Sequence, residues 1–567
     1  TVGALFEDKA CTTLKAEWAA KSDAEVLAAL DGVPADLQQA VLKIKNNAWD
    51  AVTREKEFRV YDYKPYSNPE VWADRLFTRP YNRINNPTGI STSNSKSFIY
   101  VFVENIPEGT TIDLAEMAST KFWGNDTRLK EGLNIVPCAN KDGSLYIRYV
   151  CETAIDGKKL ADYPTVKVHI EGGYVNGFWS KERGHTNEDW VYMRDNMFKN
   201  PMAVQAAGDL TVLNFRTYEF LKECPNNIEG VMRLWDFWNS RQNHYMALDK
   251  YYAWTNNKQL AMSDDNGFMD ASSYRTHYNN NTLSTIVNYD LLIADAGSSW
   301  GPNHEIGHTN QYAFQIVGTS EVSNNALTNF AIFDQGTHVS RGNNMYNQIL
   351  DFENKVPYVV RGESMYGSKL FSMTRMYFQL FLYFHAAGND TEFYPKLFAL
   401  LRESGIYSSP THVQGDRDIL HFAEKCCEAA NMDLTNFFKV WGFFHPMNQL
   451  VGKEYTKQDL TVTQAMLDRT LAKMASYSRK APAIEFIEDR IEPTPRTDGA
   501  GGNRIFLAFQ NGSLVGTVGD MRQESRRCGT GLGFGGHDGS RLAQAVCQLS
   551  QALHGLGIPI QTHIGIV

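Results

Sequence analysis

No stretch of this 567-residue chain runs apolar and unbroken for the roughly 18 residues that a membrane helix needs. The richest aromatic-aliphatic run, MYFQLFLYFHAAG at 376–388, falls short of that and reads as a buried helix. A surplus of positive charge is also missing. Lys and Arg number 55 against 64 Asp and Glu, a formal net charge of -9, which argues against nucleic acid or an anionic membrane as the main partner. None of the eight cysteines falls in a Cys-x-x-Cys pair, so thiolate zinc sites and thioredoxin-type redox chemistry have no support. Cys426 and Cys427 are adjacent in a helical context and are not expected to bridge each other, so the cysteines leave the redox compartment open. Repeats of solenoid length are absent. The chain opens on Thr1 with no charged-then-apolar leader; the expectation is that a leader, if one existed, has been removed.

The chain is long enough for three or four domains. Residues 1–57 read as helical: DAEVLAALDG starts on Asp and ends on Gly, and PADLQQAVLKIKNNAW begins with Pro34, suited to a first helical turn. From 58 the pattern changes to short runs of β-branched and aromatic residues, FRVYDY, KSFIYVFVEN, GSLYIRYV and TVKVHIEGG. Turn formers such as PEGT and NKDG separate them, a spacing that predicts a β-sandwich over 58–173. From 174 to about 495 helical patterns dominate, as in NIEGVMRLWDFWNSRQ and FYPKLFALLRES. Their Met and Phe stripes are read as core. The fold class expected is therefore α+β and multidomain, with the third region mostly helical.

At PTPRTDGAGG, 493–502, the composition shifts, and 496–567 reads as an atypical Gly-rich tail. Gly531, Gly533 and Gly536 satisfy the letters of a dinucleotide fingerprint, but MRQESRRC before them is no strand, so nucleotide binding is not expected.

The chemistry concentrates in SSWGPNHEIGHTNQ, 298–311. Histidine is scarce, 14 in the whole chain, yet His304 and His308 stand four apart with Glu305 between them. On a helix, which Pro302 can open, positions i and i+4 share one face about 5–6 Å apart at Cβ. Two imidazoles so placed can converge on one zinc ion, and Glu305 points beside it, where it can accept a proton from metal-bound water. Gly307 costs roughly 1 kcal/mol inside a helix, a cost that close approach of another segment or a substrate would offset. Trp300 and Gly301 either shape the rim of the site or simply pack.

Catalytic zinc usually takes three protein ligands. The segment VGTSEVSNNALTNFAIFD, 317–334, reads as a second helix, with Thr319 or Ser320 as N-cap and Val322, Ala326, Phe330 and Phe333 as its buried stripe. Glu321 in its first turn is either the third ligand or an acid complementing the helix dipole. Spacing alone does not choose.

The segments HEIGHTNQ and GTSEVSNN resemble the enhancin-like and mucin-degrading zinc peptidases (peptidase family M60, gluzincin type), whose pattern is His-Glu-x-Gly-His with a ligand Glu downstream. HIEGG at 169–173 and DLTNFFKVWGF at 433–443 also look like landmarks of that family, and the resemblance covers roughly 58–490. It implies one zinc held by His304, His308 and Glu321, with Glu305 as general base and then general acid in peptide-bond hydrolysis. Tyr274, His277 and Tyr366 are unranked candidates for steadying the oxyanion. Asn324 and Asn325 are candidates for supporting Glu321 or touching substrate, or are ordinary surface positions. The resemblance further implies a secreted or cell-surface enzyme acting on O-glycosylated mucin-type glycoproteins, with sugar contacts from segments such as SSYRTHYNNNT, 272–282. Two rival readings stand beside it: a non-catalytic glycan- or protein-binding module on the same fold, and a zinc hydrolase of a non-peptide bond.

Overall fold

A computed structural model of the chain describes residues 2–94, 96–118, 125–151, 158–294, 296–336, 357–360, 368–405, 412–451, 458–487, 489–491, 504–510 and 513–518. It is an α+β protein of several sheets and many helices. It divides into two compact units, Thr1–Ser240 with Leu248–Thr309, and Arg241–Ala247 with Asn310–Val567. No helix among the described residues is long and apolar enough to cross a membrane, and the six described cysteines are free and buried.

The first unit opens with short helices. Ser22 caps the helix Asp23–Ala29 through a reciprocal pair with Glu25, which returns a bond to the Ser22 backbone. The apolar residues of this segment, among them Leu5, Val26, Leu37 and Val41, form one buried cluster with Tyr100 and Phe102 of the strand Phe98–Glu104. The N-terminal helices thus cover one face of a four-stranded sheet, whose order is Val60–Tyr63, Val166–Glu171, Phe98–Glu104, Gly132–Pro137. The opposite, inward residues Ile99, Val101 and Val103 share a core with Ile112, Leu114 and Ile147 of a six-stranded sheet. Alternate residues of one strand therefore serve two cores, as the period of two requires.

The HIEGG segment lies where these layers meet. Glu171 is buried and ion-paired to Lys43 at 2.8 Å and to Arg59 at 3.6 Å, and the His169 ring sits 3.0 Å from its other oxygen. Gly172 and Gly173 both have positive φ, 86° and 56°. A Cβ on Gly172 would stand 2.5 Å from the carbonyl oxygen of Phe98, so only glycine fits.

A second six-stranded sheet follows, in the order Trp179–Ser180, Val204–Ala207, Thr211–Phe215, Gln259–Asp264, Arg275–Asn279, Met269–Ser272. It lies inside the region expected to be mostly helical. The strands Val204–Ala207 and Thr211–Phe215 are buried at every position. A strand covered on both faces shows no alternation, and its short apolar run reads equally well as helix. The edge strand Met269–Ser272 is antiparallel to its neighbour.

The second unit is mainly helical. Phe330 stacks on Phe381 with ring centroids 4.4 Å apart and planes at 7°, a contact worth about 1 kcal/mol beyond its buried area. Ser320–Asp334 is buried at every position from Val322 to Ile332, so it is a central helix, not one with a single buried stripe. Phe333, expected in that stripe, is only half-buried.

Candidate metal centre

The helix carrying the two histidines spans Ala296–Asn310. It begins six residues before Pro302, the residue expected to open it, and holds that proline inside. A proline there supplies no N–H to the preceding turn. In that turn the Asn303 side-chain amide donates to the carbonyl of Ser299 at 2.9 Å. Gly301 lies against Met269: a Cβ would collide with its sulfur and sit 2.9 Å from its methyl carbon. The bare backbone at Gly301 leaves room for the end of the Met269 side chain. Trp300 is buried, as packing requires of it.

His304 and His308 stand one turn apart on the same face, with ring centroids 4.8 Å apart and planes at 87°. After Asn310 a single 3-10 turn, Gln311–Ala313, leads toward the helix Ser320–Asp334. Gly318 takes a φ of 75°. Thr319 is the N-cap residue, and its hydroxyl donates to the Ile316 carbonyl at 2.5 Å. Ser323 Oγ donates to Gln311 Oε1 at 2.7 Å, tying this helix back to the turn. One donor atom from each of His304, His308 and Glu321 falls within 4.8 Å of the others, all three residues half-buried. These are the three residues that the family resemblance implies as ligands.

Glu305 is buried, 5% exposed, with an oxygen 4.0 Å from His304 Nε2. Burial, and then the nearby Glu305 charge, push the phenol of fully buried Tyr278 well above its ordinary range. Tyr278 escaped the sequence reading because it looks like any inward aromatic of a strand.

The remaining candidates fall out variously. His277 is buried in the sheet, with Nδ1 3.0 Å from Asp270 Oδ2 and 3.3 Å from Asp264 Oδ2. These three residues form a second group whose donor atoms lie within 4.8 Å of one another, but the distances are those of ordinary ion-pair hydrogen bonds. Tyr274 is buried beneath the guanidinium of Arg83, 5.1 Å from its ring centroid. Asn325 donates from Nδ2 to the Glu321 carbonyl at 2.6 Å. Asn324 and Asn325 are both buried, which removes the reading of them as surface positions. Tyr366, like Gly531, Gly533 and Gly536, lies outside the described residues.

Two imidazoles and a carboxylate are a donor set that suits zinc. The pattern of the family described as Peptidase M60, enhancin and enhancin-like, matches residues 182–442. A search of curated proteins found no match. Among solved structures, a metallopeptidase from Bacteroides thetaiotaomicron is 29% identical, with a TM-score of 0.76 over 86% of this chain and 80% of that one. A metallopeptidase solved in complex with Tn antigen is 31% identical, with a TM-score of 0.70 over 77% of this chain and 81% of that one. The M60 catalytic domain of ZmpC from Clostridium perfringens, solved with the sialyl T antigen, is 16% identical with a TM-score of 0.55, covers 82% of this chain and 89% of its own, and shares the fold alone. With the motif helix and the downstream carboxylate inside the matched region, the chain belongs to the M60 peptidases, the enhancin and enhancin-like metallopeptidases.

Proposed function

We propose that His304, His308 and Glu321 hold one zinc ion and that the chain is a secreted endopeptidase cutting peptide bonds in O-glycosylated, mucin-type glycoproteins. The observation that carries the metal assignment is the convergence of those three donors within 4.8 Å. Three protein donors is the number that catalytic zinc sites use. Bound zinc supplies Lewis acidity, polarising a carbonyl and easing ionisation of water.

The chain's own groups do the rest. Glu305 adjoins the first ligand on the same helix and is withdrawn from bulk water. Its carboxylate accepts the proton of the attacking water at an Oε and returns it to the departing amine nitrogen. Ser323, Gln311 and Thr319 hold the start of the following helix, which sets where Glu321 stands. The glycoprotein substrate class is supported by the 31% identical metallopeptidase solved in complex with Tn antigen.

Mucin and enzymatically deglycosylated mucin incubated with the protein test this directly. The wild type should release fragments from the glycosylated form, and Glu305→Gln should lower the rate about 10²–10⁴-fold while zinc content is unchanged. Equal inertness of the wild type and E305Q would favour a glycan-binding module. Faster cutting of the bare polypeptide would remove the sugar from the substrate class.

A further inference from the structure

The helix Ser320–Asp334 brings Glu321 to the two histidines from its first turn, so the turn just before it decides where that carboxylate stands. Ile316 and Val317 in that turn are buried, 1% and 4% exposed. The backbone N–H of Val317 donates to both oxygens of Asp418, at 3.2 and 3.1 Å. Asp418 lies 101 residues further along, immediately before the helix Ile419–Ala430. Its own backbone is held at both sides: its N–H donates to the Gly415 carbonyl at 3.2 Å, and its carbonyl accepts from Phe422 N–H at 2.8 Å. Gly415 in turn sits too close to Val462 and Thr461 for any side chain. The carboxylate is therefore mounted on a packed support and grips a backbone N–H four residues before Glu321.

We propose that Asp418 is a positioning residue for the metal: by fixing Val317 it sets the entry of the Glu321 helix and so the place of the third ligand. This rests on Glu321 being a ligand, as proposed above. Metal bonds tolerate only about 0.2 Å of misplacement, and groups that orient ligands typically matter 10–100-fold to affinity. A hold on the backbone four residues away is within reach of that effect.

Zinc dissociation constants from competition with a chromogenic chelator, on the full chain at pH 7.5, test it. Four proteins suffice: wild type, Asp418→Ser, Glu321→Ala and the double variant. Serine still suits the start of the helix Ile419–Ala430 but is too short to reach Val317. D418S should weaken zinc at least tenfold, and Asp418→Asn, which keeps an acceptor oxygen, should restore it to within about threefold of wild type. In the E321A background D418S should add no further loss, because the effect passes through Glu321. Wild-type affinity in D418S, or an equal loss in both backgrounds, overturns the proposal. E321A binding zinc as the wild type does overturns the metal assignment itself, and this inference with it. If D418S does not fold, the comparison of D418N with wild type decides: a tenfold loss despite the retained acceptor oxygen counts against the proposal.

Discussion

Replacing Glu171 by Gln should destabilise the first unit by about 3 kcal/mol at pH 7. The carboxylate is 4% exposed and faces Lys43 at 2.8 Å, Arg59 at 3.6 Å and His169 at 3.0 Å. Burial by itself would raise its pKa. The hydrogen bond with His169 and the charges of Arg59, His169 and Lys43 outweigh that and hold it at about 2, against an ordinary 4.5. The difference, at about 1.4 kcal/mol per unit, is about 3 kcal/mol of stability held by the ionised form. Breaking a buried ion pair from one side costs a similar amount. Because the folded value is depressed, this stability is present above the unfolded value of about 4.5 and is lost as pH falls toward 2, with roughly 1 kcal/mol left at pH 3. Glutamine keeps the shape and removes the charge, leaving Lys43 and Arg59 to Glu55, which pairs with them at 2.8 and 2.5 Å. Urea unfolding followed by tryptophan fluorescence should show the gap between wild type and E171Q at pH 7 and its narrowing toward pH 3. A gap under about 0.5 kcal/mol at pH 7, or one that does not change with pH, would refute the account of this network.

Metal removal should reverse with zinc: chelator-treated wild type should melt lower and recover when zinc is restored, by about 2.7 kcal/mol at a hundredfold excess over Kd. Glu321→Gln should lose most of that gain, which scanning calorimetry of the two proteins with and without zinc reads directly. At Asp418, withdrawal from water pushes the carboxyl up to about 7, while the N–H groups of Val317 and Ile419 pull it down. A raised folded value means that stability is fully present below the unfolded pKa near 4 and is lost as pH rises through about 7. D418N, which does not titrate, should therefore gain stability relative to wild type between pH 5 and pH 8. Parallel melting curves at the two pH values would contradict that.

What was legible in the sequence is what one helix decides by itself. The i, i+4 placement of His304 and His308 follows from 3.6 residues per turn whatever the surroundings, and the rings do share a face. Glu321 was visible because it follows after one short connection, although spacing left its role open. Pro302 was misjudged because a helix interior normally excludes proline, so the local rule places it in a first turn, whereas the helix here starts at Ala296. A surface position was one open reading of Asn324 and Asn325 because amides usually are exposed, yet their helix is buried all round, with Asn324 Oδ1 accepting from the Asn325 N–H and Asn325 Nδ2 donating to the Glu321 carbonyl. The strands at 204–215 gave no alternation because both faces are covered.

The groups that sequence could not join are those whose partners arrive from far along the chain. Asp418 meets Val317 across 101 residues, and no periodicity relates two such positions. Over a shorter span, Asp270 reaches His277 because the hairpin folds back, and Asp264 reaches it from the parallel strand on the other side, where Met262 pairs with His277. On the proposed assignment, the placing of His304 and His308 is set by the geometry of one helix, whereas that of Glu321 depends on how the next helix is entered, four residues after a backbone N–H from which Asp418 accepts. On that proposal, a motif search finds the three donors more readily than residues such as Asp418 that position one of them. The zinc affinities of the Asp418 variants measure how much of the site lies in that second, unmarked set.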